Sequence, residues 1–263
     1  MVITVTCNGH SFTDIQGIFL DKDGTLANVA HYLNQLGHTH AQLLESQLPG
    51  TYNLTLKALG LTEHGVNPSG LLAVGSRPDT IVGTAAAIAI KGCPWIKALT
   101  LSKKTLTTAD QKYLPKEHFT PLLPGVLDFL QRLKQAKLKV IMVSADYQKN
   151  LESFVSYYEL QAYFDKLQGV SSQHSDKTEP SFLQAACHNL GIEPHQGLVI
   201  GDAASDFRMA KSAKGFIGFL GGWSPPLCET DILSEDTDKS SIALSHYTFA
   251  KDFSEIKLMQ IPD

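Results

Sequence analysis

The stretch Ile18-Phe19-Leu20-Asp21-Lys22-Asp23-Gly24-Thr25 most limits what this chain can become. An apolar run stops abruptly at two carboxylates one residue apart, then a glycine and a threonine. A buried strand that ends in an acidic, glycine-bearing turn delivers its carboxylates to the carboxyl edge of a sheet, where open α/β sheets bind ligands. Asp21 and Asp23 are two residues apart, so on a strand they point the same way. Two crowded carboxylates call for a bound cation or a raised pKa on one of them. A solvated turn accounts for the two acids. It does not account for the same punctuation later in the chain, where Leu138–Val143 ends at Ser144-Ala145-Asp146 and Leu198–Ile200 ends at Gly201-Asp202.

The segments around these strands read in order. Val2–Thr6 is a short strand and Asn8-Gly9 a hairpin turn signal. From Ala27 to about Leu122 the period is helical, with Val29, Leu33, Leu36, His40, Leu43 and Leu44 on one face. Ser76 is a helix cap followed by Pro78 in the first turn, and Gly92 ends that helix. From Pro124-Gly125 helix and strand alternate. Helical faces are marked by Val126–Leu133, Leu151–Tyr158, Phe182–Leu190 with Gly191 as its cap, and Phe207–Ala213. Tyr163–Leu167 and Phe216–Leu220 are further strands, and Gly221–Ser240, with Pro225-Pro226, is a loop. Tyr247–Phe249 reads as a last strand and Phe253–Met259 as a last helix. This alternation predicts an α/β fold, a doubly wound and mostly parallel sheet with a helical insertion after its first acidic strand end. The expected division is 1–26 and 123–263 for the sheet domain and 27–122 for the insertion.

Composition narrows the function classes. With 43% hydrophobic and 18% charged residues among 263, the chain is ordinary globular protein. A net charge of -4 argues against non-specific nucleic-acid binding. Cys7, Cys93, Cys187 and Cys228 form no CxxC pair, so neither structural zinc nor a disulfide framework is expected. The longest mostly apolar run, Ile81–Ile90, is too short to span a bilayer, and the N-terminus lacks a signal-peptide pattern. The expectation is a cytoplasmic protein with no membrane partner.

In a parallel sheet the punctuated strand ends converge. They bring together Asp21, Asp23, Ser144, Asp202 and Asp206, and Lys177 sits just before a helix. Oxygen-only acidic donors suit a hard cation such as Mg²⁺, and a hydroxyl with a lysine suits a phosphoryl group. His38 and His40, two apart, do not share a helix face and read as solvated histidines.

The order and spacing resemble the haloacid dehalogenase superfamily. Its four motifs correspond to Asp21-Lys22-Asp23-Gly24-Thr25, to Ser144 after a hydrophobic strand, to Lys177 before a helix, and to Gly201-Asp202-Ala203-Ala204-Ser205-Asp206. The insertion resembles the helical cap of the phosphoglycolate phosphatase-like branch. The third motif departs from the frequent Lys-Pro-x-Pro, reading Lys177-Thr178-Glu179-Pro180. The resemblance implies Asp21 as nucleophile and Asp23 as general acid and then base. It implies Ser144 and Lys177 as phosphate-binding residues. Asp21, the Asp23 carbonyl and Asp202 are implied as Mg²⁺ ligands, with Asp206 beside them. Arg77 in the insertion is a candidate for substrate selection. Asp23 favours phosphate ester hydrolysis, since relatives acting on carbon–halogen bonds or phosphonates lack an acid there. The expected function is a Mg²⁺-dependent phosphatase acting on a small-molecule phosphomonoester through an aspartyl-phosphate. A sugar phosphomutase and a non-catalytic phosphate-binding regulator are the alternatives.

Overall fold

The computed structural model describes residues 2–171, 176–233 and 246–261. Strand β1 (Val2–Cys7) pairs antiparallel with β2 (His10–Phe12) across Asn8-Gly9. Both turn residues have positive φ, 46° and 83°, as a two-residue hairpin turn requires. Strand β3 (Gly17–Asp21) follows, and all five of its residues are buried, which explains why it reads as a continuous apolar run.

By contact the chain divides into two units, Met1–Asn28 with Leu122–Asp263, and Val29–Pro121. The second unit is helical. It contains α1 (Ala30–Gln47), α2 (Tyr52–Leu59), a two-residue hairpin of β4 (Leu61–Thr62) and β5 (Gly65–Val66), α3 (Leu71–Val74), α4 (Arg77–Ala89) and α5 (Trp95–Gln111). Ser76 caps α4 in a reciprocal box with Asp79, and Gly92 turns the chain at φ 84°. Tyr32, Leu36, Leu59, Leu61 and Leu72 form one apolar cluster, and Leu44, Ala85, Ile88 and Ala98 another. His40 lies on the buried face of α1 and is wholly enclosed, so the expectation of a solvated histidine fails there. Its helical neighbours Leu36 and Leu44, four residues to either side, carry it inward with the apolar stripe.

The first unit resumes with α6 (Val126–Gln135), β6 (Lys139–Tyr147), α7 (Gln148–Tyr157), β7 (Lys166–Val170), α8 (Pro180–Cys187), β8 (Gly197–Gly201), α9 (Ala204–Met209), β9 (Gly215–Phe219), α10 (Glu229–Leu233), β10 (Tyr247–Ala250) and β11 (Ile256–Ile261). Six strands form one sheet in the order β10-β9-β8-β3-β6-β7, and every pairing within it is parallel. This is the doubly wound, mostly parallel α/β architecture. A separate antiparallel sheet has the order β11-β1-β2.

Local expectations change in several places, and the strand expected over Tyr163–Leu167 forms instead at Lys166–Val170, after a 3₁₀ turn at Gln161–Tyr163. Phe253–Met259 is not a helix: a turn of 3₁₀ helix at Phe253–Glu255 leads into β11, which pairs residue for residue with β1 from Val2↔Ile261 to Cys7↔Ile256. Seven residues are too few for a helix to stand without tertiary support, whereas the open edge of β1 offers a full ladder. Helix α8 stops at Cys187, and the chain turns through Asn189 and Gly191, both at positive φ. The expected loop over 221–240 carries α10, and its residues 234–240 lie outside the described ones. Among the described residues no helix is long and apolar enough to cross a membrane.

Candidate active site

Strand β3 sits between β6 and β8, where the winding of the sheet reverses. That reversal opens a crevice at the carboxyl ends of the strands. Asp21, the last residue of β3, lies opposite Val143 of β6, so Ser144 follows one step beyond that pairing. On the other side Leu20 pairs with Ile200 of β8, and Gly201-Asp202 continues from it. Asp206 stands in the first turn of α9, where its Oδ2 accepts a hydrogen bond from the Ala203 N–H at 3.1 Å.

These positions bring Asp21, Asp202 and Asp206 together. All three are buried, and one carboxylate oxygen from each lies within 4.8 Å of the others. Lys177 joins them, its Nζ donating to Asp21 Oδ1 and to Asp206 Oδ1 at 2.9 Å each. Its loop is restrained without the usual proline: the Asp176 carboxylate accepts hydrogen bonds from the Thr178 N–H and hydroxyl, both at 2.8 Å.

Three carboxylates share one lysine, and the electrostatics show it. Burial, and then Asp206, push Asp21 well above the usual carboxylate range, with Lys177 opposing them. Burial, and then Asp206, also raise Asp202, to about 7, with the Trp223 hydrogen bond and the Lys177 charge opposing. Burial pulls the Lys177 ammonium down, but Asp206 and Asp21 outweigh it and hold the proton on. A site built this way is short of positive charge. Its donors are all oxygens, and a hard divalent cation fits both facts.

Asp23 does not join the trio. Its side chain is 31% exposed and pairs with Lys22, whose Nζ is 2.5 Å from Asp23 Oδ1 and 3.5 Å from Asp146 Oδ2. Lys22 is itself buried, with its ammonium 5.5 Å from the centre of the Phe154 ring. The Ser144 hydroxyl is buried and accepts from the Asp146 N–H at 3.1 Å. Arg77 opens α4 in the helical unit, where both its terminal nitrogens engage Asp110: NH1 donates to Oδ1 at 2.8 Å, and NH2 contacts Oδ2.

Sequence reasoning missed the two groups that hold Asp202. The Thr25 hydroxyl donates to Oδ1 at 3.1 Å, and the Trp223 indole N–H donates to Oδ2 at 2.7 Å. Thr25 belongs to a motif already singled out and could have been found by its place after Gly24. Trp223 lies in a loop after β9, with no spacing signal linking it to Asp202.

Comparison with known proteins places this arrangement. The chain is 26% identical over 157 residues to a phosphoglycolate phosphatase of Pseudomonas putida, which is 58% of this chain and 57% of that protein. It spans about half the length of several curated relatives it matches, 49% in one from Caldanaerobacter subterraneus. A predicted phosphoglycolate phosphatase from Haemophilus somnus superposes with a TM-score of 0.63 at 17% identity, over 92% of this chain and 96% of that one. A candidate beta-phosphoglucomutase from Thermotoga maritima superposes with a TM-score of 0.60 at 18% identity, over 89% and 93%. At such identities the two structures establish the fold. The family model of haloacid dehalogenase-like hydrolases matches residues 15–214, from just before β3 to just before β9, and the chain belongs to that family.

Proposed function

We propose that this protein is a Mg²⁺-dependent phosphatase that hydrolyses a small phosphorylated metabolite through an aspartyl-phosphate. The observation that carries the reading is the buried trio of Asp21, Asp202 and Asp206 with the Lys177 ammonium bridging two of its members. The Asp21 and Asp202 carboxylates and the Asp23 backbone carbonyl would hold the cation, with Asp206 beside them. Mg²⁺, when bound, supplies positive charge beside the phosphoryl oxygens.

The chain's own residues divide the remaining work. An Asp21 oxygen attacks phosphorus as the bond to the leaving alkoxide breaks, and protonated Asp23 gives that alkoxide its proton. Asp23, now a carboxylate, takes a proton from water as the water oxygen attacks the phosphorus of the aspartyl-phosphate. Asp21 leaves as a carboxylate and inorganic phosphate is released. Lys177 and the Ser144 hydroxyl donate to the phosphoryl oxygens, where negative charge is held through the transition state. The similarity to phosphoglycolate phosphatases supports a small phosphomonoester substrate. It also supports assigning substrate selection to the helical unit Val29–Pro121.

The test is a panel of phosphomonoesters, aryl phosphates included, assayed with and without Mg²⁺. Release of inorganic phosphate that needs Mg²⁺ and is abolished in Asp21→Asn is expected. Undiminished turnover by Asp21→Asn sinks the nucleophile assignment. Isomerised sugar phosphate in place of inorganic phosphate would make the protein a mutase.

A further inference from the structure

Asp202 is held by two donors of different character. The Thr25 hydroxyl, on Oδ1, can rotate and can either donate or accept. The Trp223 indole N–H, on Oδ2, can only donate, and its direction is set by a ring that is almost wholly buried. The ring is not free to withdraw, because the loop carrying it is wedged in place. A Cβ on Gly222 would overlap the Gly24 carbonyl oxygen, and one on Gly221 would overlap the Lys251 carbonyl oxygen. The loop therefore lies in backbone contact with the acidic turn on one side and the end of β10 on the other. The Leu220 N–H donates to Ala250 at 2.8 Å and the Leu227 N–H donates to Leu220 at 3.1 Å, closing the loop at its base.

A fixed N–H takes one lone pair of Oδ2 and sets the tilt of the carboxylate, so Oδ1, whose hydroxyl donor can rotate away, is the oxygen better placed to ligate through a single atom. Small octahedral cations use carboxylates in that way and keep water in the remaining positions. Ca²⁺ takes six to eight oxygens at longer distances and often claims both oxygens of a carboxylate. We propose that Trp223 is a positioning residue for the metal site: it keeps Asp202 a single-oxygen ligand and so biases the site toward Mg²⁺ and against Ca²⁺. The inference rests on the Mg²⁺-dependent reading of the trio and adds to it a determinant of cation choice. Thr25 complements Trp223, since its hydroxyl can turn away from Oδ1 when a cation arrives.

The chain has two tryptophans, Trp95 and Trp223, so each can be observed alone. Calorimetric titration of the whole protein with Mg²⁺ and separately with Ca²⁺, before and after Trp223→Phe, gives the ratio of the two dissociation constants. Phe keeps the ring bulk and removes the N–H. The preference for Mg²⁺ over Ca²⁺ is expected to fall by about tenfold or more, the scale of lost outer contacts to a metal ligand. A ratio unchanged within about twofold overturns the proposal. A second measurement needs no substitution at the site. In Trp95→Phe protein the one remaining indole N–H resonance belongs to Trp223, and it should stay protected from solvent exchange when Mg²⁺ saturates the site. Loss of that protection on Mg²⁺ binding shows the bond to Asp202 being given up, and overturns the proposal even where Trp223→Phe fails to fold. Protein that binds neither cation overturns the metal reading itself, whereas Mg²⁺ binding with an unaltered ratio removes the role of Trp223 alone.

Discussion

Lys22 Nζ lies 2.5 Å from Asp23 Oδ1 and 3.5 Å from Asp146 Oδ2, joining the turn after β3 to the end of β6 through a buried ammonium. An ammonium this enclosed persists only because carboxylates surround it. Lys22→Met keeps the length and removes the charge. Breaking a fully buried pair costs about 3–5 kcal/mol, but Asp23 reaches solvent here, so the loss expected in a urea titration is about 2 kcal/mol. Turnover should also fall, by about tenfold or more, since the Lys22 contact fixes where the Asp23 side chain sits and the proton transfers assigned to Asp23 need that position held. A variant as stable and as active as the parent would show that the pair does neither job.

Gly24 meets two demands at once. Its φ is +82°, and a Cβ there would overlap Asp202 Oδ2 and crowd the Trp223 indole nitrogen. Neither demand yields easily, because the backbone conformation is closed to most side chains and the atoms it would strike are buried. Gly24→Ala is expected to lower stability by more than about 2 kcal/mol. It should also weaken Mg²⁺ binding, measured by calorimetry, since Asp202 must move to make room. Unaltered Mg²⁺ affinity in a folded Gly24→Ala protein would show that Asp202 can shift without cost to the site.

The contrast between Asp202 and Trp223 shows what the chain reveals and what it conceals. Asp202 was legible because it ends an apolar strand, and parallel sheets bring such ends together whatever the side chains between them. Asp21, Ser144 and Asp206 were legible in the same way, through position along the backbone. Trp223 was not, because its contact depends on the path of a loop that Gly221 and Gly222 let press against other backbone. Lys22 was read as part of a polar turn. It stands one step past the end of β3, and its side chain runs to Phe154 of α7, where it is buried. The strand β11 was hidden for a third reason: its partner β1 lies at the other end of the chain, and no local period reports such a ladder.

Arg77 illustrates how a candidate on one element can be claimed by its neighbour. Its guanidinium bridges α4 to Asp110 at the end of α5 with both terminal nitrogens. The two side chains are 32% and 26% exposed, so the pair is screened and modest. Arg77→Met is expected to lower the stability of the protein by about 1 kcal/mol and leave KM for its substrate unchanged. A KM raised severalfold without loss of stability would assign the guanidinium to substrate instead.

His40 makes the helical unit sensitive to acid. Its ring is fully enclosed, its Nε2 lies 3.3 Å from the Thr84 hydroxyl, and its Nδ1 has no hydrogen-bond partner among the described residues. Burial, and then the nearby Arg77 charge, lower its pKa from 6.5 to about 4, against a weaker opposing contribution from the Thr105 backbone. The folded protein therefore resists a proton that the unfolded chain accepts. The stability this represents is whole above about pH 6.5 and is lost as pH falls toward about 4, because only the unfolded state gains a proton in that window. A shift of this size corresponds to about 3 kcal/mol lost across the window. Carboxylates titrate over the same range, so the wild type must be compared with His40→Gln, whose amide can still reach Thr84 and which carries no titrating group. Urea titrations at pH 7 and pH 4.5 should show the wild type losing about 2 kcal/mol more than the variant. Parallel losses in the two proteins would mean that His40 gains its proton without cost, and that the acid sensitivity lies elsewhere.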